Sequence, residues 1–195
     1  MPEFLDFPRG EQREEYNFKK PRNKMKQTIS MYNASVPMFK QMLSALNAIL
    51  DKAQTHVEKQ SIPGDGLLQA SLYPDMFNFI RQVQIATDFA KGVSARLAGV
   101  DVPVFEDNET SFSELKARIE KTLFFISSIK PEQINGSEGK EIITRPGTPK
   151  EKIFNGQSYL LHYGIPQFFF HVSTAYGILR NQGVDIGKRD YMGVY

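Results

Sequence analysis

The chain has 195 residues, of which 41% are hydrophobic and 24% are charged, so a single folded domain with a buried core is expected. The formal net charge of +2 gives little long-range attraction for nucleic acid or acidic lipid. The sequence contains no cysteine, which excludes disulfides, thiolate catalysis and cysteine zinc sites within this chain. No apolar run reaches the ~20 residues that a membrane helix needs, and the first residues lack the apolar stretch of a secretory signal. We therefore predict a cytoplasmic protein that does not enter the membrane.

Residues 1–29 differ in composition from the rest of the chain. They are charged, are interrupted by proline and glycine, and show no helical period, so we predict a poorly ordered extension before a single domain at 30–195. A basic run between Lys19 and Lys26 has two interpretations, a nuclear address or phosphate-binding arm and a merely solvated segment. The run is short and the domain is not basic, which favours the solvated segment and makes nucleic acid an unexpected partner.

Four helices with apolar residues at helical spacing are predicted in the domain. The stripes of the second and third helices include Phe77 and Phe124, which we expect to be buried. Pro166 falls inside the last helix and predicts a kink there. The boundary signals are a serine cap and first-turn proline at 35–37, a proline turn at 73–75, Gly99, a capping box from Ser111 to Glu114, Asn155-Gly156 and Gly183.

The apolar period changes between residues 140 and 154. Two short apolar segments, 141–144 and 151–154, flank the turn Arg145-Pro146-Gly147-Thr148-Pro149. This pattern is typical of a β-hairpin. The predicted fold class is therefore all-α, a four-helix bundle with a small β-hairpin inserted before the last helix.

Two polar pairs on the second and last helices indicate a site inside the bundle. Gln84 and Asp88 are four residues apart and share a helix face, as do Gln167 and His171. If these helices are neighbours, the four side chains converge in the bundle interior, where metal sites of this architecture are built. The alternative is a hydrogen-bonded network without a metal, which is the commoner role of buried polar groups.

His162 lies nine residues before His171, which is about 180° around an ideal helix. It reaches the same site only if Gly164 and Pro166 rotate the helix between the two histidines, and otherwise it hydrogen-bonds to backbone freed by the kink. The aromatic run 168–170 covers most directions around the helix. It is explained by core packing, by a subunit contact or by an apolar pocket for a small molecule.

Several stretches of the chain resemble a known family. They are MYNASVPMF, LYPDMFNFIRQVQIATDFAKG, EDNETSFSELKARI and SYLLHYGIPQFFFHVSTAYGILRNQGVDIGKRDY, which together run from about Met31 to Met192. They are similar to an uncharacterised family of the DinB/YfiT-like superfamily of four-helix bundles. The resemblance implies such a bundle with a long second crossover, and a homodimer.

The resemblance also implies a kind of site. Better-studied relatives bind a divalent metal through three histidines, one on the second helix and an HxxxH pair on the last, and some are thiol-dependent transferases or hydrolases. In this chain His171 matches the second position of that pair, Gln167 stands at the first, and Gln84 stands at the second-helix position. We therefore predict a non-catalytic or ligand-binding member with a degenerate metal site. The alternative is a transferase or hydrolase that holds zinc, nickel or manganese through His171, His162 and Asp88.

Overall fold

The computed structural model describes residues 29–61 and 64–195, which form a helical bundle with one small antiparallel hairpin. Almost all of the predicted extension 1–29, including its basic run, lies outside the described residues, so its order stays a prediction. The elements in chain order are α1 (Val36–Gln60), α2 (Gly64–Leu68), α3 (Phe79–Ala98), α4 (Phe112–Ser128), α5 (Pro131–Ile134), β1 (Glu141–Thr144), β2 (Lys152–Asn155), α6 (Gly156–Ser158), a π-helical segment (Tyr159–Gly164), α7 (Ile165–Asn181) and α8 (Lys188–Met192).

The four long helices surround one apolar core. Helix α3 packs against α4 on one side and α7 on the other, while α1 packs against α4 and α7. The second and last long helices are therefore neighbours, which is the condition for the predicted polar site. The centre of the core is closed by large side chains that are almost fully buried, including Phe39, Leu43, Leu46, Phe79, Leu115, Ile119, Tyr159 and Phe168.

Local signals set most of the helix ends. The predicted start of α4 is confirmed, since the Ser111 hydroxyl accepts a hydrogen bond from the Glu114 N–H, while the Glu114 carboxylate accepts from the Thr110 N–H, one residue before the cap of an ideal capping box. Gly99 ends α3 with a φ of 74°, a left-handed conformation that favours glycine. Ser35 precedes α1 as predicted, but it caps no N–H group, because its hydroxyl donates to the Met31 carbonyl instead.

Two aromatic residues that were predicted to be buried are exposed. Phe77 is 57% exposed because α3 begins only at Phe79, after Asn78 caps the helix by accepting from the Arg81 N–H. Phe124 is 81% exposed, although Ile126 two residues later is fully buried. An apolar residue at helical spacing faces the core only where a neighbouring helix covers it.

A regular antiparallel hairpin leads into a last long helix that begins with a π-helical segment. Strands β1 and β2 pair antiparallel, with Ile142 opposite Phe154 and Thr144 opposite Lys152. Pro166, where a kink was predicted, lies in the first turn of α7, directly after the π-helical segment that ends at Gly164. Gly164 in this segment lies so close to α3 that an added Cβ would be 2.6 Å from the Val93 side chain.

None of the helices in the described part of the chain is both long enough and apolar enough to cross a membrane.

Candidate functional site

A partly enclosed cavity of about 510 Å³ lies between α3, the π-helical segment, α7 and the hairpin. Three of the predicted site residues, Asp88, Gln167 and His171, line it. A larger groove beside the C-terminal tail contains none of them. Apart from the hydroxyl-bearing Thr144, the remaining lining residues are aromatic, apolar or basic: Phe77, Arg81, Ile85, Phe89, Arg96, Arg145, Lys150, Lys152, Tyr159 and Tyr163.

His171 is held by contacts with α3. Its Nδ1 lies 2.7 Å from Oε1 of Gln82, and its ring stacks on Phe89 with ring centres 6.1 Å apart. The Gln82 amide nitrogen donates to the Phe77 carbonyl at 3.0 Å, which leaves the Gln82 amide oxygen facing the histidine. Because that oxygen can only accept, Nδ1 carries the proton and Nε2 is the ring nitrogen that can accept a hydrogen bond.

The same environment keeps His171 neutral. The residue is 7% exposed, and burial together with the charge of Arg81 lowers the pKa of His171 from 6.5 to about 4. A neutral imidazole whose pKa is displaced in a cavity is a common mark of a binding or catalytic position.

This lowered pKa predicts a loss of stability in mild acid. The unfolded chain binds a proton at His171 near pH 6.5 and the folded chain only near pH 4, so protonation favours unfolding as the pH falls between these values. We expect this proton to lower the free energy of unfolding of the wild-type protein by about 2–3 kcal/mol between pH 7 and pH 4. In His171→Gln this loss should be absent. Urea unfolding across this pH range measures the difference. His162→Gln, a substitution of the exposed histidine, is the control and should keep the wild-type profile. A His171→Gln profile that parallels the wild type would contradict the assignment.

Asp88 lies at the cavity but already has cationic partners. Its Oδ1 accepts from the Arg118 guanidinium at 2.7 Å and from the Lys91 ammonium at 2.8 Å. Arg118 is buried between α3 and α4 and also pairs with Asp107 and Glu109. The Asp88 carboxylate is therefore the end of a structural ion network that ties α3 to α4 and to the loop between them.

The other two predicted residues lie elsewhere. Gln84 is buried on a different side of α3, where its amide nitrogen donates to Glu109 at 2.8 Å and its amide oxygen accepts from Arg81 at 3.1 Å. His162 is exposed in the π-helical segment and is not among the residues that line the cavity. The predicted convergence is thus wrong for Gln84 and His162, because Gln82 faces α7 in place of Gln84 and the segment turns His162 to solvent.

Aromatic side chains form one wall of the cavity. Tyr163 contacts Phe89, Phe154 and Tyr159, with ring centres 5.8, 5.1 and 5.9 Å apart respectively. The Tyr159 hydroxyl accepts from Arg96 at 3.1 Å, and burial of the ring raises the pKa of Tyr159. This wall offers apolar surface and ring faces to a ligand.

Comparison with known proteins agrees with the fold. The chain matches the family described as "Domain of unknown function (DUF1993)" over residues 31–192. The chain belongs to this family. The crystal structure of a DinB family member protein from Shewanella denitrificans is similar to it, with 39% sequence identity and a TM-score of 0.79 over 84% of this chain and 92% of that chain. The DinB-like bundle implied by the sequence resemblance is therefore confirmed, and no curated protein matches the chain.

The residues of this DUF1993 cavity do not fit the three-histidine metal site implied by the resemblance. Within residues 29–61 and 64–195, no three histidine, aspartate or glutamate side chains are grouped so that they could hold a metal ion. The predicted ligand set of His171, His162 and Asp88 is not brought together, since His162 is exposed outside the cavity and Asp88 is paired with Arg118 and Lys91. Basic lining residues would also repel a divalent cation.

Sequence reasoning missed Gln82 and Phe89, which lie on α3 and hold His171 through a hydrogen bond and a ring contact. They are seven residues apart and therefore share a helix face. This spacing could have placed both residues on the face of α3 that contacts α7. It was not recognised because α3 is buried against both α4 and α7, so its apolar residues do not form a single stripe.

Proposed function

We propose that this protein is a non-catalytic, ligand-binding member of the DinB-like bundles, which holds a small organic molecule in the cavity between α3, α7 and the hairpin. One observation carries the proposal: a cavity of about 510 Å³ joins an aromatic wall to a few polar groups held in fixed positions. Concave sites of this size and composition are typical of small-molecule binding. We also carry forward the homodimer and the cytoplasmic location as predictions.

The hydrogen bonds at the cavity favour binding over metal chemistry. The buried His171 is oriented by Gln82 and Phe89, so its Nε2 is a preorganised acceptor. Gln167 lies one turn earlier on α7, is half-buried and lines the same cavity. These groups can orient a ligand, whereas two amide side chains and one histidine form a weak ligand set for zinc, nickel or manganese.

A bulky substitution in the cavity tests the proposal. We expect Gln167→Trp to fill the cavity and to abolish, or weaken at least about tenfold, the binding of 2-naphthoate and 2-naphthamide measured by calorimetry. Gln182→Trp places the same side chain at the exposed end of α7 and should leave binding unchanged. Circular dichroism shows whether each variant is folded.

Two results would contradict the proposal. The first is that neither naphthalene compound binds the wild-type protein, or that both bind Gln167→Trp as well as Gln182→Trp. The second comes from elemental analysis of purified protein beside a His171→Ala variant. One equivalent of zinc, nickel or manganese that disappears in the variant would support the metal-dependent transferase or hydrolase instead.

A further inference from the structure

Positive charge is concentrated at this cavity. Five basic residues and one acidic residue line it, although the whole chain carries a formal net charge of only +2. The basic residues are Arg81, Arg96, Arg145, Lys150 and Lys152. An accumulation of one sign of charge around a concave, partly apolar surface attracts ligands of the opposite sign.

The acidic residue does not cancel this charge. Asp88 is neutralised locally by Arg118 and Lys91, neither of which lines the cavity. His171 adds no charge at neutral pH, because its pKa lies near 4. Among the five lining cations, Arg81 alone forms an ion pair with a described residue, Asp107, and Arg96 donates to the neutral Tyr159 hydroxyl.

The three remaining cations, Arg145, Lys150 and Lys152, all come from the hairpin, and we call them the hairpin cations. None of them forms an ion pair with any residue in the described part of the chain. Glu151, which lies between the two lysines, accepts from the Gly147 N–H at 2.6 Å and does not line the cavity. The Lys152 ammonium lies 5.6 Å from the centre of the Tyr163 ring, so positive charge and aromatic surface are adjacent.

We propose that the ligand of this cavity is an organic anion, in which an apolar or aromatic body lies against Phe89 and Tyr163 and a carboxylate or phosphate group faces the hairpin cations. This inference rests on the proposed function and names the chemical class of its ligand. Charge-assisted hydrogen bonds from arginine and lysine to such oxygens are among the strongest that proteins make. The hairpin inserted before α7 is thus the element that gives the cavity its selectivity.

Three probes with the same naphthalene body separate the charge from the apolar contact. They are 2-naphthoate, 2-naphthyl phosphate and the neutral 2-naphthamide, titrated into the full chain by calorimetry. We expect at least one of the anions to bind at least about ten times more tightly than the amide at low salt, because only the anions carry a negative charge that can pair with the hairpin cations. Raising the salt concentration should lower the affinity for the preferred anion and leave the affinity for the amide unchanged.

A matched pair of double variants assigns the preference to the hairpin. Lys150→Gln/Lys152→Gln removes two exposed hairpin cations. It should lower the affinity for the preferred anion about tenfold and the affinity for the amide less than about twofold. Lys59→Gln/Lys130→Gln removes the same charge from exposed positions outside the cavity and should bind all three probes like the wild type. Circular dichroism confirms that each variant is folded.

The outcomes distinguish this inference from the proposed function. Equal binding of the amide and both anions, lost in Gln167→Trp, would overturn the anion class and leave the ligand-binding function in place. An anion preference that survives the hairpin variant, or falls equally in the control pair, would overturn the role of the hairpin cations. No binding of any probe would overturn both proposals. The relative affinities of the carboxylate and the phosphate decide between these two groups.

Discussion

Replacement of Arg118 by methionine is expected to lower the free energy of unfolding by about 3 kcal/mol. The Arg118 side chain is 1% exposed and contacts Asp88 at 2.7 Å, Asp107 at 3.0 Å and Glu109 at 2.9 Å. Its removal leaves three carboxylates close together with part of their charge uncompensated. Glu109 has the least access to water, with 9% of its side chain exposed, and should account for the largest share of the cost. Urea unfolding at pH 7 measures the effect.

Two comparisons isolate the ion network. Arg180→Met, at an exposed position where the guanidinium donates to the Val184 carbonyl, should cost about 1 kcal/mol or less. The difference in free energy of unfolding between the wild type and Arg118→Met should also become smaller below pH 4. Burial alone would raise the pKa of Asp107, but the hydrogen bond from Arg81 and the charge of Arg118 lower it overall, so the stabilisation from this carboxylate is present above its unfolded pKa and is lost as acid protonates it. A cost for Arg118→Met no greater than that for Arg180→Met would show that the network does not stabilise the bundle.

Replacement of Gly156 by alanine is expected to destabilise the protein by about 2–4 kcal/mol. A Cβ at this position would lie 1.9 Å from the Ser137 carbonyl oxygen and 3.0 Å from its carbonyl carbon. Both are backbone atoms, which cannot rotate aside as the end of a flexible side chain can. The chain must therefore move apart where β2 leads into the π-helical segment, and we expect the loss in urea unfolding to be accompanied by weaker ligand binding.

Gly139 provides the control for this substitution. A Cβ at Gly139 would meet nothing within 4 Å, and the residue lies close to Ser137 in the sequence. Gly139→Ala should leave stability unchanged or raise it by up to about 1 kcal/mol, because alanine restricts the unfolded chain. Equal stabilities of Gly156→Ala and Gly139→Ala would contradict the close approach of the two backbone segments.

Sequence reasoning found the cavity only in part. Gln167 and His171 were identified from their spacing on one helix, and the structure places both at the cavity. Gln84 was chosen as the partner on the second helix, but Gln82 contacts His171. The two glutamines are two residues apart and point to different sides of α3, and both sides are buried. Periodicity cannot tell which buried side faces which neighbour.

The hairpin shows the same division between local and long-range information. Its strands were predicted from a change of apolar period around a Pro-Gly turn, and they form at 141–144 and 152–155. That Lys150 and Lys152 line the same cavity as Tyr163 and His171 was not predicted, because their position depends on how the hairpin packs on the bundle. The basic residues of the site therefore appeared in the sequence as ordinary surface charges.

The sequence by itself determined the four long helices, several of their ends and the bundle class, because caps, turn glycines and 3.6-residue spacing act between residues that are near in the chain. The serine cap at Ser111 and the left-handed Gly99 are examples. Only the tertiary structure decided which polar groups share a cavity, that Asp88 is already paired with Arg118, and that His162 faces solvent. These contacts join residues far apart in sequence, and they depend on the rotation of each helix against two neighbours at once.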